Sequence, residues 1–411
     1  MPRILNLYNV FLFYFLISSF VWFLAGIDEG SRLFVYTYLL SPIIFFIFPK
    51  NLIYDKLNVI NITYALFLIY LTMSTLVMFI YMMEIDVLIS MYRISIFPFI
   101  TLLAFHYFKN FRNTDDFIFF ICLYMALALI SKIILILAVG KFYGGGANQI
   151  YFYPLYFSLL VYVRSDYYRV RGFFLKIFRF KIVRYFLLLT IIMLTLLSFK
   201  RMTIVLMVLS LFIFILSNTR NKNTFYIFLL AAVFLGSSLF FLDLNLLYEL
   251  LDRINSILVF LKNSESSISG GLRLYENLSV INELNKQPLL SWLVGLGPGA
   301  EYEALVSNLK RNASGRVVDV HSMYFYLLLN VGIVGTLAFL IVPFTTLLTS
   351  LRGLRSQVDR DTWHLLIGVK VTILMQLING FTSNAYIGDP ILALMAGWFL
   401  ATVNMEKKRY F

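Results

Sequence analysis

Residues 320–335 have the sequence VHSMYFYLLLNVGIVG, in which a histidine and a serine precede an apolar run that continues to about residue 350. Apolar runs of this length are typical of helices that cross a bilayer, because the hydrocarbon core needs about 20 such residues. Histidine is rare in this chain, which has three among 411 residues. The stretch therefore predicts a transmembrane helix that begins with His321 at its polar end.

The rest of the chain shares this apolar character. Hydrophobic residues make up 61% of the sequence, charged residues 13%, and the mean hydropathy is +0.84. Soluble domains are about 45–50% apolar and about 25% charged. These values indicate a polytopic membrane protein, in which the net charge of +13 reflects basic cytoplasmic loops rather than nucleic-acid binding. One cysteine, Cys122, excludes a disulfide framework and a cysteine-rich metal site.

Apolar runs of bilayer length predict an all-α fold with about twelve transmembrane helices. This divides the chain into nine spans in residues 1–242, a loop with short helices in residues 243–320, and three spans in residues 321–411. The predicted spans are about 9–27, 33–49, 58–83, 87–108, 117–139, 150–163, 182–199, 202–217, 225–242, 322–350, 363–379 and 385–403.

The lysines and arginines of the short loops predict the orientation of these spans. They concentrate in alternate loops, as in residues 164–184, and at the C-terminus, in residues 407–409. Short loops rich in these residues stay in the cytoplasm. Both termini are therefore predicted to be cytoplasmic, and the long loop before His321 is predicted to lie on the opposite face. Lys200 and Arg201 depart from this trend, since they interrupt an apolar stretch at that opposite face; a snorkelling pair at a helix turn is the alternative.

Within the long loop, residues 246–262 have apolar residues at helical intervals and could lie along the membrane surface. A serine and glycine stretch, residues 264–271, is predicted to break the chain. A helix is then expected from Leu272 to just before Gln287, with Arg273 in its first turn. Residues 295–299 have the sequence GLGPG, which is typical of a turn-rich loop.

His321, Arg273 and Arg201 are predicted to lie on the same side of the membrane and are our candidate working site. An imidazole can act as a general base because its ordinary pKa of about 6.5 lies near the working pH. The guanidinium group of arginine matches the oxygens of phosphate and diphosphate groups. The alternative is that His321 is only a polar interface residue and that Arg273 is only a solvated charge.

Further residues could support this site. Asp319 precedes His321 by two positions, so an extended backbone would point both side chains the same way; a solvated loop acid is the alternative. Arg93 lies inside a predicted span, where it could meet a phosphate or pair with a carboxylate. The spacing of four other carboxylates selects no single base among them: Glu276, Glu283, Glu301 and Glu303.

From Arg273 through the GLGPG loop to His321 and the Gly332–Gly335 segment, the sequence resembles the O-antigen polymerase and O-antigen ligase family of bacterial surface-polysaccharide assembly. The shared pattern is an arginine, a Gly-x-Gly turn and a histidine that begins a span with a Gly-Ile-x-Gly signature. An arginine at the periplasmic end of an earlier helix corresponds to Lys200-Arg201. The specific match covers roughly residues 190–340, and elsewhere only hydropathy agrees.

The resemblance implies a metal-independent, inverting glycosyltransferase of the GT-C kind in the bacterial inner membrane, without a cofactor. Its donor would be a glycan linked to undecaprenyl diphosphate. His321 would deprotonate the acceptor hydroxyl, and Arg273, Arg201 and Lys200 would hold the diphosphate. The expected activity is polymerisation of oligosaccharide repeat units for lipopolysaccharide. The alternatives are ligation of the glycan to lipid A core, or transport by a flippase. A chain-length regulator and the flippase of the pathway are possible partners; nucleic acid is not expected.

Overall fold

The computed structural model describes residues 59–82, 85–111, 114–139, 155–156, 158–163, 180–197, 268–305, 316–317, 320–381, 383 and 387–408. Predicted spans at 9–27, 33–49, 202–217 and 225–242 lie outside these residues, as does the predicted surface helix at 246–262. Within the described ranges the fold is helical, with one isolated antiparallel bridge between Tyr302 and Val317 and no longer strand pairing. The helices are α1 (Val59–Met82), α2 (Ile85–Phe111), α3 (Thr114–Val139), α4 (Lys181–Leu197), α5 (Ile268–Asn285), α6 (Leu289–Val294), α7 (Met323–Leu348), α8 (Arg360–Asn379) and α9 (Pro390–Lys408).

Helices α1 to α4 and α7 to α9 occur where the apolar runs predicted spans. Two of the described helices, α7 and α8, are long and apolar enough to cross a membrane by length and composition. Shorter apolar stretches of the same type lie within α1 and α9, at Ile62–Val77 and Pro390–Met405. Within the sixth predicted span, 150–163, the structure has a short π-helical turn, Ser158–Tyr162. The predicted α-helical character is confirmed, and the number of twelve spans stays a prediction.

Helix α9 is buried against α2 and α3. Gly397 allows this close approach, because a β-carbon there would lie 2.6 Å from the Ala104 side chain of α2. The contact with α3 includes an aromatic pair: the rings of Phe117 on α3 and Trp398 on α9 are stacked, with their centroids 4.0 Å apart. The C-terminal helix is therefore part of the helical core.

The start of α7 is fixed by the end of α8. The Met323 amide donates to the Gly380 carbonyl over 2.8 Å, and the Tyr324 hydroxyl donates to the Leu377 carbonyl over 2.7 Å. The first amides of a helix have no partner within the helix, so an external carbonyl satisfies one of them here. This contact holds His321, two residues before the helix, at the same end of the molecule as the α8 C-terminus.

Helix α7 is interrupted at Gly332, whose φ of 67° and ψ of −172° are not helical. The sequence predicted a continuous helix here, which is wrong for this position. Two carbonyls shortly before the break, those of Leu329 and Asn330, accept from the Leu296 and Gly297 amides over 2.8 and 3.0 Å. The loop that contains residues 295–299 is therefore joined to α7 by backbone hydrogen bonds.

Glycine is required on both sides of this contact. Gly332 has a positive φ, and a β-carbon there would overlap the Leu293 carbonyl group and the Gly295 amide. Gly295 has φ of 78°, and its β-carbon would lie 2.5 Å from the Val331 amide nitrogen. The turn predicted at residues 295–299 is confirmed, and its glycines permit the close approach of two backbones.

Candidate functional site

The His321 imidazole is hydrogen-bonded to a buried carboxylate of α5. Its Nδ1 atom lies 3.0 Å from Oε1 of Glu276, and the His321 amide donates to Oε2 of the same carboxylate over 3.2 Å. The Glu276 side chain is 2% exposed, whereas that of His321 is 59% exposed. One carboxylate thus fixes both the backbone and the ring of His321, while much of the imidazole remains accessible.

This geometry determines which ring nitrogen can accept a proton. An ionised carboxylate only accepts hydrogen bonds, so Nδ1 must carry the hydrogen that lies between it and Glu276. In the neutral imidazole, Nε2 is then the nitrogen without a hydrogen and carries the basic lone pair. The ring is therefore held in the tautomer that a general base needs, with its basic nitrogen on the side away from Glu276.

A second residue fixes the Glu276 carboxylate. The Tyr302 hydroxyl donates to Oε1 over 3.3 Å, and Tyr302 is fully buried. Its backbone forms both hydrogen bonds of the bridge to Val317, over 2.9 and 3.0 Å. Because Val317 lies only a few residues before His321, the bridge brings the chain back across α5 immediately before the site.

Ion pairs hold the same loop against the C-terminal half of α5. Arg316 pairs with Glu283, which is buried, and its guanidinium also donates to the Glu301 carbonyl over 3.2 Å. Lys286 pairs with Glu303 over 2.7 Å, and this hydrogen bond raises the pKa of Lys286. Glu283, Glu301 and Glu303 therefore pair with cations of the loop and α5, and Glu276 is the carboxylate at the imidazole.

Arg273 lies on α5, three residues before Glu276, and is partly buried. Residues at this spacing occupy the same face of a helix, with β-carbons about 5–6 Å apart. The structure therefore brings Arg273 to within one helical turn of the carboxylate that holds His321. The prediction that it lies in the first turn is wrong, because α5 begins at Ile268 and includes the two glycines of the predicted break.

Arg93 lies on α2, and its guanidinium carbon is 5.1 Å from the centroid of the Tyr326 ring. This is the geometry of a cation–π contact. Tyr326 is the fourth residue of α7, five residues after His321, and it is buried. The structure thus connects Arg93 to the helix that begins at the candidate base, through an aromatic ring that the sequence analysis did not consider.

Arg201, Lys200 and Asp319 lie outside the described residues. Their assignment to the site stays a prediction, as does convergence of Arg201 with Arg273. The two remaining histidines, His106 on α2 and His364 on α8, are both 6% exposed. Packing of α2 and α8 against neighbouring helices explains their burial.

In the sequence, Glu276 is one of four acids that spacing does not distinguish. Asp319 was the predicted partner of the imidazole because it is close to His321 in sequence. One signal could have indicated Glu276: it is three residues after Arg273, so one helix face carries both. Its contact with His321 bridges 45 residues, however, and only the fold brings the two together.

Metal-ligand side chains do not cluster in the part of the chain that the structure describes, where no group of three or more His, Cys, Asp or Glu residues could hold an ion. Metal independence nevertheless stays a prediction. The described site consists of the His321 imidazole, its buried carboxylate partner and a nearby cation.

Residues 186–340 match the protein family described as O-antigen ligase. The match covers residues 186–340 of the 411, which is less than half of the chain. The matched segment includes α5, α6, Arg273, Glu276 and His321, and it confirms the resemblance inferred from the sequence. The family covers both O-antigen ligases and polymerases, so the domain indicates a membrane-bound enzyme of the glycosyltransferase type that acts in surface-polysaccharide synthesis. No curated protein is detectably similar to the chain.

Proposed function

We propose that this O-antigen ligase family protein is an oligosaccharide repeat-unit polymerase, in which His321 is the general base. The observation that carries the proposal is the exposed His321 imidazole held by the buried Glu276 carboxylate over 3.0 Å. A polar residue at the membrane interface does not require a buried carboxylate. Here one buried carboxylate is hydrogen-bonded to both the amide and the ring of the histidine. The family domain supplies the reaction class, and the pair supplies the base.

In the proposed reaction, Nε2 of His321 takes the proton of the acceptor hydroxyl. The acceptor oxygen forms a bond to the anomeric carbon of the donor glycan as the bond from that carbon to the diphosphate oxygen breaks. Undecaprenyl diphosphate leaves with the electron pair, and in-line attack inverts the anomeric centre. Arg273, with Arg201 and Lys200, neutralises the charge that develops on the diphosphate.

The proposal includes the topology and partners inferred from the sequence. It places the protein in the bacterial inner membrane with about twelve spans and cytoplasmic termini. The loop at residues 243–320 is periplasmic between membrane parts at 1–242 and 321–411. The donor is a glycan on undecaprenyl diphosphate, and a chain-length regulator and a flippase of the same pathway are proposed partners. No cofactor takes part.

The second candidate is ligation of the finished glycan to lipid A core. The matched family is described as O-antigen ligase, which favours this alternative. The same base and the same lipid-diphosphate donor serve both reactions, so the described site supports either acceptor. We favour polymerisation because the sequence, with 42 Phe and 27 Tyr, resembles the divergent polymerases more than the ligases.

The test is a His321→Ala variant expressed in a strain that lacks the wild-type gene. Removing a general base slows transfer by about 10²–10⁴-fold, so long polymer should be lost. Glycans are separated by gel, and membrane abundance is measured by immunoblot. Asn285→Ala, at an exposed position at the end of α5, is the matched control and should retain the full polymer pattern.

The glycan pattern distinguishes the candidates. Single repeat units on lipid A core indicate a polymerase. Lipid-linked polymer without attachment to lipid A core indicates a ligase. Long polymer on lipid A core at normal protein abundance contradicts a catalytic role for His321.

Glu276→Gln tests the positioning role of the carboxylate. The amide keeps the shape but can present an NH₂ group to Nδ1, which favours the unproductive tautomer. We expect the turnover number with purified enzyme and lipid-linked donor to fall by roughly tenfold or more, with little change in KM. Glu303→Gln is the matched control, because Glu303 is a surface carboxylate paired with Lys286. An equal loss in both variants would contradict a specific role of Glu276.

A further inference from the structure

Helix α6, which follows α5 and packs against the break in α7, has an apolar surface that no described element covers. Helix α6 has the sequence LLSWLV, and Leu289 and Leu290 are 80% and 63% exposed. Leu293 and Val294 are also exposed. The sequence placed this helix in a periplasmic loop, where four exposed apolar side chains on six residues would be unfavourable.

The depth of α6 follows from its contact with α7. The Leu293 carbonyl lies against Gly332, which follows the first residue of α7 by nine residues and precedes the last by 16 (positions 323, 332 and 348). At 1.5 Å per residue these separations are about 14 and about 24 Å. Depth is measured here from the membrane face at which His321 lies, with a hydrocarbon core of about 30 Å. If Leu348 lies at the opposite face of the core, Gly332 is about 6 Å deep. If Met323 lies at the near face, Gly332 is about 14 Å deep.

The neighbours of α6 on both sides are apolar and exposed. On α7, Val334 and Leu337 are exposed next to the break; on α1, Leu66, Ile69 and Met73 are exposed around Tyr70. The Tyr70 hydroxyl donates to the Val294 carbonyl and so joins α1 to the end of α6. The exposed face of α6 is therefore continuous with the outer faces of two apolar helices.

The backbone of this segment is also paired as a membrane environment requires. Non-helical backbone is tolerated at membrane depth only where its polar groups are satisfied. The Gly295, Leu296 and Gly297 amides donate to the Ser291, Leu329 and Asn330 carbonyls, and the Gly299 amide donates to the Asn330 side chain over 2.8 Å. Helix α7 thus supplies the acceptors for three of these four amides.

We propose that α6 is inserted into the outer part of the bilayer, where acyl chains of membrane lipids cover Leu289, Leu290, Leu293 and Val294. The polar residues just before it, Asn285, Lys286 and Gln287, are exposed and mark the upper limit of the insertion. Because only three residues separate α5 from α6, this anchor holds α5, with Arg273 and Glu276, at a fixed height above the lipid surface. The proposal does not depend on which glycan the protein transfers.

The test uses single-cysteine variants of the full chain, reconstituted in liposomes and carrying a nitroxide label. Cys122 is the one native cysteine and is buried, so Cys122→Ala is the background. Leu290→Cys reports on α6, Ile69→Cys is the lipid reference and Asn285→Cys is the water reference. Collisions with oxygen and with a water-soluble nickel complex are measured by power saturation of the electron paramagnetic resonance signal.

We expect the oxygen-to-nickel collision ratio of Leu290→Cys to match that of Ile69→Cys and to exceed that of Asn285→Cys roughly tenfold. A nickel accessibility like that of Asn285→Cys would overturn the proposal, because α6 would then lie in water. Low accessibility to both reagents would also overturn it, because a protein surface would then cover the helix. Leu289→Cys should give the same result and replaces Leu290→Cys if that variant does not fold. Retained glycan transfer by His321→Ala, which would contradict the proposed function, would leave this measurement unaffected.

Discussion

Helix α7 contains two interruptions of its hydrogen bonding, and the protein repairs them differently. Pro343 has no amide hydrogen, so the Phe339 carbonyl one turn earlier lacks its helical donor. The Tyr64 hydroxyl of α1 donates to that carbonyl over 2.9 Å. At Gly332 the backbone itself leaves the helical conformation. Two amides of the loop at residues 295–299 donate to the Leu329 and Asn330 carbonyls shortly before it.

The difference shows what each interruption contributes. The repair at Pro343 is a single side chain from a neighbouring helix, and it joins two apolar helices without building anything else. The repair at Gly332 brings in residues 295–299, which lie between the end of α6 and the Tyr302 bridge. The Gly332 interruption is therefore part of the scaffold that holds Glu276 and His321. The hydrogen bond at the Pro343 interruption only joins two helices.

Among substitutions at the two interruptions, Gly332→Ala is expected to have the largest effect on stability and glycan transfer. A β-carbon would overlap the Leu293 carbonyl and force a side chain into a positive φ, so the free energy of unfolding should fall by about 3 kcal/mol or more. The unfolding temperature of the detergent-solubilised protein and its glycan transfer should both decrease. Gly353→Ala is the control, since nothing lies within 4 Å of its β-carbon. Equal behaviour of the two variants would contradict a close backbone contact at Gly332.

Asn330→Ala should have the next largest effect. Its side chain accepts from the Gly299 amide over 2.8 Å and donates to the Tyr326 carbonyl over 2.8 Å. Leaving the buried Gly299 amide without its acceptor should cost about 1–3 kcal/mol. We expect a lower unfolding temperature and reduced glycan transfer, because the loop is followed by Tyr302, whose hydroxyl donates to Glu276. A destabilised variant with unchanged transfer per folded molecule would show that the loop does not position the site.

The smallest effect is expected from Tyr64→Phe, which removes the hydroxyl donor at the Pro343 interruption. The loss should be about 1 kcal/mol, and glycan transfer per folded molecule should stay at the wild-type level. Pro343→Ala restores an amide that can donate to the Phe339 carbonyl. In the double variant the cost of Tyr64→Phe should therefore decrease, which a double-mutant cycle on unfolding temperatures would measure. Strict additivity would contradict this explanation.

Much of the scaffold was predictable because bilayer-length apolar runs have few possible structures. The described helices α1 to α4 and α7 to α9 occur where spans were predicted, and the turn at residues 295–299 is present. The interruption of α7 was not predictable from periodicity, because a Gly-x-x-Gly segment is equally compatible with a continuous, closely packed helix. The contact with Gly295 decides between these structures, and it joins segments that are far apart in sequence.

The candidate site divides in the same way. Hydropathy and turn residues alone predict that His321 begins an apolar span after a long polar loop, and that Arg273 belongs to a helix in that loop. Hydropathy and local turn propensity are properties of neighbouring residues, so they can be read in order along the chain. That Glu276, and not another acid, holds the imidazole follows from the folded chain alone. That choice depends on burial and on a hydrogen bond between residues 45 positions apart, which no local pattern records.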